Sequence, residues 1–514
     1  MRSVTKWFKR LGKWSAIFIL LNIIVVTLVV QTSGDKEFRY SPSTPVVNDI
    51  TGLNPIGVQR VIRPTQLQQI TRAIIDSKGP VSIGGGRYSQ GGQTAYEDSL
   101  HIDMRGFNKV LNFDAKAREI TVQPGITWHD IQEYIDPHNL SIRIMQTYAN
   151  FTVGGSLSVN VHGRYIGEGP LVHSVKSIKL VTAKGTVVSA SANNNTELFY
   201  GAIGGYGGLG VIVEARLSLA DNARVERRVK PMPVADYKKY FFSQIRNNPD
   251  VVFHNADLYP PDYERALDVS WYRTDKALTT EERLIARDTK YYWAPKAAEF
   301  VANYDIGKTI RQHLIDPVYY SFGRVVWRNW EASYDVRELE PGDREDKTYV
   351  LREYFIPVEN FDQFVPQMAE IFRRNNANII NVSVRHAHKD PGTLLAWARE
   401  EMFAFVVYYQ QGTDRSAIDS VRAWSLEMID AVIANNGTYY LPYQVFATPG
   451  QFSAAYPNSP KFFALKRLVD PDYRFRNRLW RQHYAGELVT GAQQATINNY
   501  QRGEEQTFLT IPEW

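Results

Sequence analysis

Apolar and polar residues alternate in short stretches from about residue 58 onwards, which indicates a mixture of strands and helices rather than a repeat or low-complexity protein. Helical spacing of apolar positions predicts helices over residues 65–77, with Thr65 as the N-cap, and over residues 128–135. Strands are predicted at residues 61–64, 80–83, 114–122 and 211–219, with a hairpin over 175–188 that turns at Lys184 and Gly185.

The N-terminal segment has a different pattern. An apolar run from Trp14 to Val30 follows a basic flank, and no acidic residue occurs before Asp35. As a helix this run would be roughly 25 Å long, near the lower limit for crossing a bilayer. We expect residues 1–13 to be a cytoplasmic flank and 14–31 a retained transmembrane anchor, with a cleaved signal peptide as the alternative. The basic flank predicts that the catalytic part is extracytoplasmic.

Two further regions are distinguished by composition. Residues 32–54 are polar and rich in Ser, Pro, Asn and Asp, which is typical of a linker. Residues 222–455 are rich in Tyr, Trp and Phe, and the change in character near residue 222 predicts a second domain. A length of 514 residues is sufficient for two or three domains with buried cores.

Charge and cysteine content exclude several classes of function. The chain has 59 Lys and Arg against 54 Asp and Glu, and most of the excess lies in the N-terminal flank, so nucleic acid is not an expected partner. There is no cysteine. Disulfides, thiolate metal sites, thiol nucleophiles and a flavin attached through sulfur are therefore excluded.

Three glycine clusters are the main candidates for a ligand-binding site. They lie at residues 84–92, 153–163 and 204–210. Glycine allows backbone N–H groups to approach a ligand without a Cβ in the way, and convergent N–H groups bind a diphosphate. Each cluster alone is equally compatible with a set of tight turns. The first cluster shows neither a G-x-G-x-x-G fingerprint after a strand with an acidic residue about twenty positions later nor a Gly-Lys-Ser/Thr phosphate loop.

The order and context of these clusters resemble the FAD-binding domain of the p-cresol methylhydroxylase/vanillyl-alcohol oxidase superfamily. The matching stretches are PVSIGGGRYS at 80–89, IDM at 102–104, VQPG at 122–125, TVGGSLS at 152–158, VHG at 161–163, ELF at 197–199 and AIGGYGGLGVI at 202–212. The chain is most similar to the aldonolactone and alditol oxidases and to the decaprenylphosphoryl-ribose oxidases. LREYFIP at 351–357 and Asp470-Pro471 with Phe475 resemble later stretches of the superfamily.

The resemblance implies an α+β fold with a discontinuous flavin domain, formed by residues 55–221 and 456–514. Residues 222–455 would form a substrate domain built on an antiparallel sheet. It also implies FAD as the cofactor, and because Tyr88 stands where many members have a flavin-linked histidine, we expect this FAD to be non-covalent. The expected cofactor-binding residues are Gly84, Gly85, Gly86, Arg87, Tyr88, Ser89, Gly154, Gly155, Ser156, His162, Gly163, Gly205, Val211, Ile212 and Tyr440.

The candidate catalytic residues are Arg385, His162 and Tyr443. A neutral histidine can accept a hydroxyl proton, and an arginine can bind the oxygen that loses it. Alternatively, His162 is a packing residue, Arg385 a surface ion pair and Tyr443 part of an aromatic core. The aldonolactone branch has Glu-x-Arg and a lysine where this chain has Ser383-Val384-Arg385 and Tyr443, which argues against a simple lactone or alditol substrate.

No metal is expected, because the His386-x-His388 pair has no third ligand nearby in the sequence. The predicted function is FAD-dependent oxidation of an alcohol-bearing substrate: a sugar, polyol, lactone or lipid-linked sugar, with oxygen or a quinone as the electron acceptor. Reduction of a C=C bond, as in the sterol reductases, and a flavin-binding scaffold without catalysis are the alternatives.

Overall fold

The structure is a computed structural model that describes residues 45–339 and 344–484. The predicted basic flank and anchor, and most of the linker, lie outside these residues. Among the helices that the structure describes, none is both long and apolar enough to span a bilayer.

The first region contains eleven strands and four helices, together with short 3₁₀ turns at Met104–Gly106, Asp136–His138 and Leu171–Ser174. The strands are β1 (Val46–Val47), β2 (Ile56–Gly57), β3 (Arg60–Ile62), β4 (Val81–Gly84), β5 (Leu100–Asp103), β6 (Val110–Asp114), β7 (Glu119–Val122), β8 (Leu140–Ile142), β9 (Val175–Val181), β10 (Val187–Ser191) and β11 (Val211–Asp221). The helices are α1 (Leu67–Asp76), α2 (Trp128–Ile135), α3 (Val153–Val159) and α4 (Thr196–Ala202).

These strands form two main sheets. Strands β3, β5 and β4 form a parallel sheet in that order, and β4 runs directly into the first glycine cluster. The order β10-β9-β11-β7-β6 defines an antiparallel sheet, and β8 pairs with β11 at its end. The predicted hairpin is confirmed as β9 and β10, with Gly185 at a φ of 75° in the turn.

Helix α2 has the predicted bounds and begins with a capping box in which Thr127 and Asp130 cap each other. The predicted N-cap of α1 was wrong, because the helix begins one residue later, after Gln66. The Gln69 side chain accepts hydrogen bonds from the N–H groups of both Thr65 and Gln66, and so satisfies two donors at this end of the helix.

The second region contains the remaining strands and seven helices, with a 3₁₀ turn at Val336–Glu338 and another at Val358–Asn360, and π-helical turns at Phe241–Ile245 and Arg311–Ile315. The strands are β12 (Arg224–Pro233), β13 (Val251–Leu258), β14 (Arg265–Arg273), β15 (Val325–Trp327), β16 (Lys347–Pro357), β17 (Ile379–Ala387), β18 (Met402–Gly412) and β19 (Thr438–Tyr439). The helices are α5 (Val234–Tyr240), α6 (Trp293–Asn303), α7 (Asp305–Ile310), α8 (Asp316–Ser321), α9 (Arg328–Glu331), α10 (Phe361–Arg374) and α11 (Arg415–Ala434).

The eight strands of this region form one antiparallel sheet in the order β15-β12-β14-β13-β17-β18-β16-β19. Helices α10 and α11 cover one face, where Phe364 meets Phe405 at 5.0 Å between ring centroids and Trp424 meets Tyr409 at 5.2 Å. The opposite face of β16, β17 and β18 is turned toward the first region. The mixed α/β architecture with antiparallel sheets agrees with the expected fold.

Three C-terminal helices then return to the first region: α12 (Pro449–Ala455), α13 (Ser459–Val469) and α14 (Arg478–His483). The Lys466 side chain is fully buried and donates to the carbonyls of Gly208 (2.6 Å) and Phe475 (3.0 Å) and to the Asp470 carboxylate (2.9 Å). Asp470 also accepts the N–H groups of Arg474 and Phe475. The Asp470-Pro471 segment thereby fixes the third glycine cluster.

Candidate active site

A cavity of about 220 Å³ lies between the glycine clusters and the face of the eight-stranded sheet that α10 and α11 do not cover. Most of the predicted site residues line it, although the clusters and Arg385 are far apart in the sequence. The predicted residues on its wall are Gly84, Gly85, Gly86, Arg87, Tyr88, Ser89, Gly154, Gly155, Ser156, His162, Ile212, Arg385, Tyr440 and Tyr443.

Three predicted cofactor residues do not line the cavity. Gly163 and Gly205 are packing positions, because a Cβ on either would lie 2.1 Å from the carbonyl oxygen of Met145 or of Gly201. Val211 is fully buried in the apolar cluster beneath the parallel sheet. These positions are needed for close packing behind the cavity, a role that a glycine motif alone does not distinguish from ligand contact.

The first glycine cluster is pressed against the start of α3. A Cβ on Gly85 would lie 2.2 Å from the Thr152 hydroxyl oxygen, and the Gly86 N–H donates to that oxygen at 3.3 Å. Arg87 follows with a φ of 64°, a left-handed conformation that turns successive N–H groups toward one side. A bulkier residue than glycine would separate the loop from α3 and change the shape of the wall.

Arg87 places a positive charge beside this loop. One guanidinium nitrogen lies 3.5 Å from the buried Asp103 carboxylate, whereas Nε is buried and has no hydrogen-bond partner among the described residues. Burial would raise the pKa of Asp103, but the Arg105 guanidinium, assisted by Arg87, holds that pKa at about 2. The unpaired donor and the glycine backbone together suit a diphosphate.

Tyr88 stands where a covalent histidine link is common in the resembling superfamily. Its ring stacks on Phe151 at a centroid distance of 4.0 Å, and its hydroxyl accepts a hydrogen bond from Asn150 at 2.6 Å. A phenol held in this way adds an aromatic surface to the cavity.

A carboxylate that the sequence did not reveal is central to the other end of the cavity. One carboxylate oxygen of Glu353 lies 2.5 Å from His162 Nε2, and the other oxygen accepts a hydrogen bond from the Tyr443 hydroxyl. Burial would raise the pKa of Glu353, but His162 and Arg385 outweigh this effect and hold it below its usual range. Burial, followed by the charge of Glu353, raises the pKa of Tyr443 well above its usual value, so that this phenol remains a donor.

Strand geometry explains why these residues meet. Tyr349, Leu351 and Glu353 alternate along β16 and therefore share the face that lines the cavity. Val406 of the adjoining β18 pairs with Glu353 of β16 on one side and with Ser383 of β17 on the other. Arg385 is two residues from Ser383 and so projects from the same face.

Arg385 was predicted to be either a substrate ligand or a surface ion pair, and the structure places it in the cavity wall. Its Nε is buried without a hydrogen-bond partner in the described chain, and burial lowers the pKa of the guanidinium, although the nearby Glu353 opposes this. A second buried pair lies nearby, with Arg164 donating to Glu331 at 2.9 Å. The unpaired nitrogen of Arg385 leaves a donor for an oxygen in the cavity.

Glu353 explains the apparent loss of the family carboxylate at Ser383. The carboxylate on this wall comes from β16, two strands away from Ser383, and not from β17. The sequence did contain an indication of this, since Arg352 and Glu353 are adjacent charged residues inside an otherwise apolar run. A charge at a buried strand position requires partners. The partners of Glu353 are His162, about 190 residues earlier in the chain, and Tyr443, 90 residues later.

Tyr440 contributes its ring to the cavity, but its hydroxyl donates to the Val159 carbonyl at 2.9 Å. The hydroxyl is therefore engaged within the protein, and the ring is the part of Tyr440 that the cavity wall presents. Its ring also contacts Phe355 and Trp397, at centroid distances of 5.3 and 6.0 Å.

The argument against a metal at His386 and His388 was wrong in one respect. Glu401 is a third potential ligand, and the ligand atoms of the three residues lie within 4.8 Å of one another. However, Glu401 already accepts from His386 Nε2 at 2.7 Å and pairs with Arg246. The guanidinium occupies the cation position beside this carboxylate, on the side of the sheet away from the cavity.

Comparison with known proteins agrees with this geometry. A family model described as an FAD binding domain matches residues 56–191. Curated relatives include L-gulonolactone oxidase from Bos taurus, 24% identical over 39% of this chain and 49% of its own length. Cytokinin dehydrogenase 1 from Arabidopsis thaliana is 32% identical over 27% of this chain and 25% of its own length. Mitochondrial L-galactono-1,4-lactone dehydrogenase 1 from Oryza sativa subsp. japonica is 29% identical over 36% of this chain and 32% of its own length.

The matched stretch spans half or less of each of these relatives. Among solved structures, a solvent-stable cholesterol oxidase superposes with a TM-score of 0.67 over 85% of this chain and 97% of its own, at 15% identity, which shows a shared fold. The glycine loops, the unpaired Arg87 donor and the matched domain identify FAD as the cofactor. The chain contains an FAD-binding domain of the p-cresol methylhydroxylase/vanillyl-alcohol oxidase superfamily of FAD-dependent oxidoreductases.

Proposed function

We propose that the protein oxidises a hydroxyl-bearing substrate with non-covalent FAD. The observation that carries this proposal is the meeting of Glu353, His162, Tyr443 and Arg385 at one end of a cavity whose other end is formed by the glycine loops. A proton acceptor, a cation and a buried donor in one wall are the groups that removal of a hydroxyl proton requires.

Bound FAD would accept a hydride at N5 from the substrate C–H bond. The protein residues manage the proton. The His162–Glu353 pair takes up the hydroxyl proton, and the unpaired Arg385 Nε holds the oxygen from which it leaves. Tyr443 donates to Glu353 and keeps the carboxylate oriented. In this arrangement charge develops between groups that are already fixed in a largely buried wall.

We also propose the class of substrate and the setting. A sugar, polyol, lactone or lipid-linked sugar would present the hydroxyl that this site handles, and oxygen or a quinone would re-oxidise the flavin. The relatives named for lactones and the cholesterol oxidase neighbour support oxidation of small oxygenated molecules as a class. The apolar run at residues 14–30 supports a membrane-anchored enzyme with its catalytic part outside the cytoplasm.

The test is anaerobic reduction of the bound flavin by a panel of sugars, polyols, lactones and sterols. Acid precipitation, measured first, should release the FAD into the supernatant. With the substrate that bleaches the flavin fastest, Glu353→Gln should retain FAD and slow reduction by roughly a hundred- to ten-thousand-fold, because the neutral amide accepts no proton.

Glu401→Gln is a matched control, since Glu401 also pairs with a histidine on this sheet but lies away from the cavity. We expect it to reduce its flavin at the wild-type rate. Equal rates for wild type and Glu353→Gln would remove Glu353 from the proposal. Reduction of the flavin by a nicotinamide and by none of the alcohols would favour the C=C reductase alternative.

A further inference from the structure

An unusual concentration of exposed apolar side chains occurs in the helical segment from residue 292 to 322. Of the fourteen large apolar residues that are at least 36% exposed in the described chain, nine lie in these 31 positions. They are Tyr292, Trp293, Tyr304, Ile306, Leu314, Ile315, Val318, Tyr319 and Phe322, and we call them the apolar face. Isolated exposed apolar residues are common, whereas such a concentration indicates a contact surface.

In the helices that carry this face, two charged residues lie on the inner side and large apolar residues lie on the outer side. Arg311 lies on the inner side, pairs with Asp316 at 3.1 Å and donates to the Ile380 carbonyl of β17 at 3.1 Å. Asp316 also accepts from the buried Tyr259 hydroxyl at 2.8 Å. Arg311 and Asp316 therefore face the protein, whereas the apolar stripe with i, i+3 and i+4 spacing through Ile315 and Phe322 faces outward.

The composition of the face favours a lipid bilayer over another protein. Tyrosine and tryptophan, with a polar end on an apolar ring, are enriched where a protein meets lipid headgroups. The segment that carries the apolar face, residues 292–322, contains three Lys and Arg against three Asp and Glu, so it has no net charge.

The apolar face also adjoins the cavity. Val301 and Ala302 of α6 pack against Tyr349, with Tyr408 beside them, and both tyrosines line the cavity. Asn303 accepts hydrogen bonds from Lys347 and Gln410, each at 3.2 Å. Helix α6 and these two tyrosines thus lie between the apolar face and the cavity.

The beginning of the described chain lies at the same edge of the molecule. The Thr348 hydroxyl donates to the Thr51 carbonyl at 2.6 Å, and the adjacent Lys347 contacts Asn303 at the end of α6. The apolar run at 14–30 ends only fourteen residues before the first described residue, Pro45. An anchor in that run would hold this edge of the protein close to the bilayer.

We infer that the apolar face lies on the surface of a phospholipid bilayer and forms a membrane contact separate from the N-terminal segment. The contact orients the molecule so that the Tyr349–Tyr408 wall of the cavity adjoins the lipid. A lipid-linked substrate would then enter the cavity without crossing water; this consequence rests on the proposed function, whereas the contact itself does not.

The absence of cysteine allows the contact to be tested in the full chain, because a single introduced cysteine is labelled uniquely. Phe322→Cys and Trp293→Cys, each labelled with a polarity-sensitive dye, are reconstituted into vesicles of phosphatidylcholine with a minority of phosphatidylglycerol. Leu468→Cys on α13, where the leucine is 75% exposed, is the matched control. Retained flavin shows that each variant is folded.

The dyes at 322 and 293 should be quenched by a spin-labelled lipid and protected from aqueous iodide, whereas the dye at 468 should show the opposite behaviour. Equal iodide quenching at all three positions would overturn the inference. Protection at 322 and 293 without lipid quenching, increasing with protein concentration, would also overturn it and would indicate contact between two copies of the chain. None of these readouts depends on identifying the substrate, so they remain interpretable if the proposed oxidation fails.

Discussion

Arg385 and Glu353 show how a single wall can carry opposite charges without neutralising itself. The carboxylate is engaged by His162 and Tyr443, while Nε of the guanidinium has no partner in the described residues. A buried donor without a partner costs free energy in the resting protein, and an oxygen bound there recovers it. Because Arg385 has an unpartnered donor and Glu353 does not, we expect removal of the Arg385 side chain to weaken the contact with the substrate oxygen most directly.

Arg385→Ala should leave FAD content near wild type and slow flavin reduction, because the glycine loops that bind the cofactor are not altered. Loss of a charged contact in a site with little water corresponds to about 2–4 kcal/mol, or roughly thirty- to a thousand-fold in rate. Arg385→Lys should recover only part of the rate, since an ammonium does not reproduce the planar guanidinium. Stopped-flow reduction at saturating substrate measures both variants, and a rate within two-fold of wild type for Arg385→Ala would contradict the assignment.

Glu338, close to the cavity residues Val336 and Leu339, gives a prediction about pH. Burial and then the charge of Glu331 raise the pKa of Glu338 from 4.5 to about 7, with Arg164 opposing them. A raised folded-state pKa means that the stability due to the protonated carboxyl is complete below pH 4.5 and is lost as pH rises through 7.

Glu338→Gln keeps a neutral side chain at every pH. Relative to wild type it should therefore be more stable at pH 8 than at pH 5, by about 1 kcal/mol once solvent screening of this half-buried group is considered. Thermal unfolding of both proteins at the two pH values measures the difference. The same pH dependence in wild type and variant would mean that Glu338 is ionised throughout.

At the scale of elements, the cavity depends on how closely the loop after β4 approaches α3. Gly85→Ala places a methyl group 2.2 Å from the Thr152 hydroxyl oxygen, so the loop or the helix start must shift. We expect lower FAD occupancy and a lower melting temperature. Gly79→Ala is the control, because a Cβ there has nothing within 4 Å. The ratio of flavin to protein absorbance in both purified variants decides, and equal occupancy would show that the loop tolerates the shift.

Several local elements of this fold were predictable, because their determinants are close together in the sequence, but the strand predicted at 114–122 was wrong over 115–118, where a turn separates β6 from β7. The hairpin of β9 and β10 was predicted from its turn glycine, and the helix α2 from the spacing of its apolar residues. The glycine loops were found in the same way. The roles of Gly163 and Gly205 were not distinguishable, since a glycine required for packing and one required for ligand approach have the same appearance in a sequence.

The pairing of strands could not be predicted, and the missing part of the site followed from it. Glu353, Val406 and Ser383 are aligned only because β18 lies between β16 and β17. The registers depend on contacts between residues far apart in the chain, for which a single sequence gives no evidence. The same limitation concealed Glu401 beside His386 and His388.

At the scale of the whole molecule, both regions and the C-terminal helices share one apolar core. The same cluster of buried side chains includes Trp128 of α2, Phe405 of β18 and Trp480 of α14. Interiors packed in this way have low compressibility, which favours a constant separation between the two walls of the cavity. The active site can therefore use residues from three distant parts of the sequence.

The final prediction concerns the side of the membrane on which the folded part of the chain lies. The basic flank before residue 14 predicts that the N-terminus remains in the cytoplasm and that the folded part is exported. The chain has no cysteine, and residue 468 is well exposed, so Leu468→Cys is a unique reporter. A membrane-impermeant maleimide should label this variant in cells whose plasma membrane is intact, and wild type should remain unlabelled. Labelling of Leu468→Cys only after the inner membrane is lysed would place the catalytic part in the cytoplasm and reverse the proposed topology.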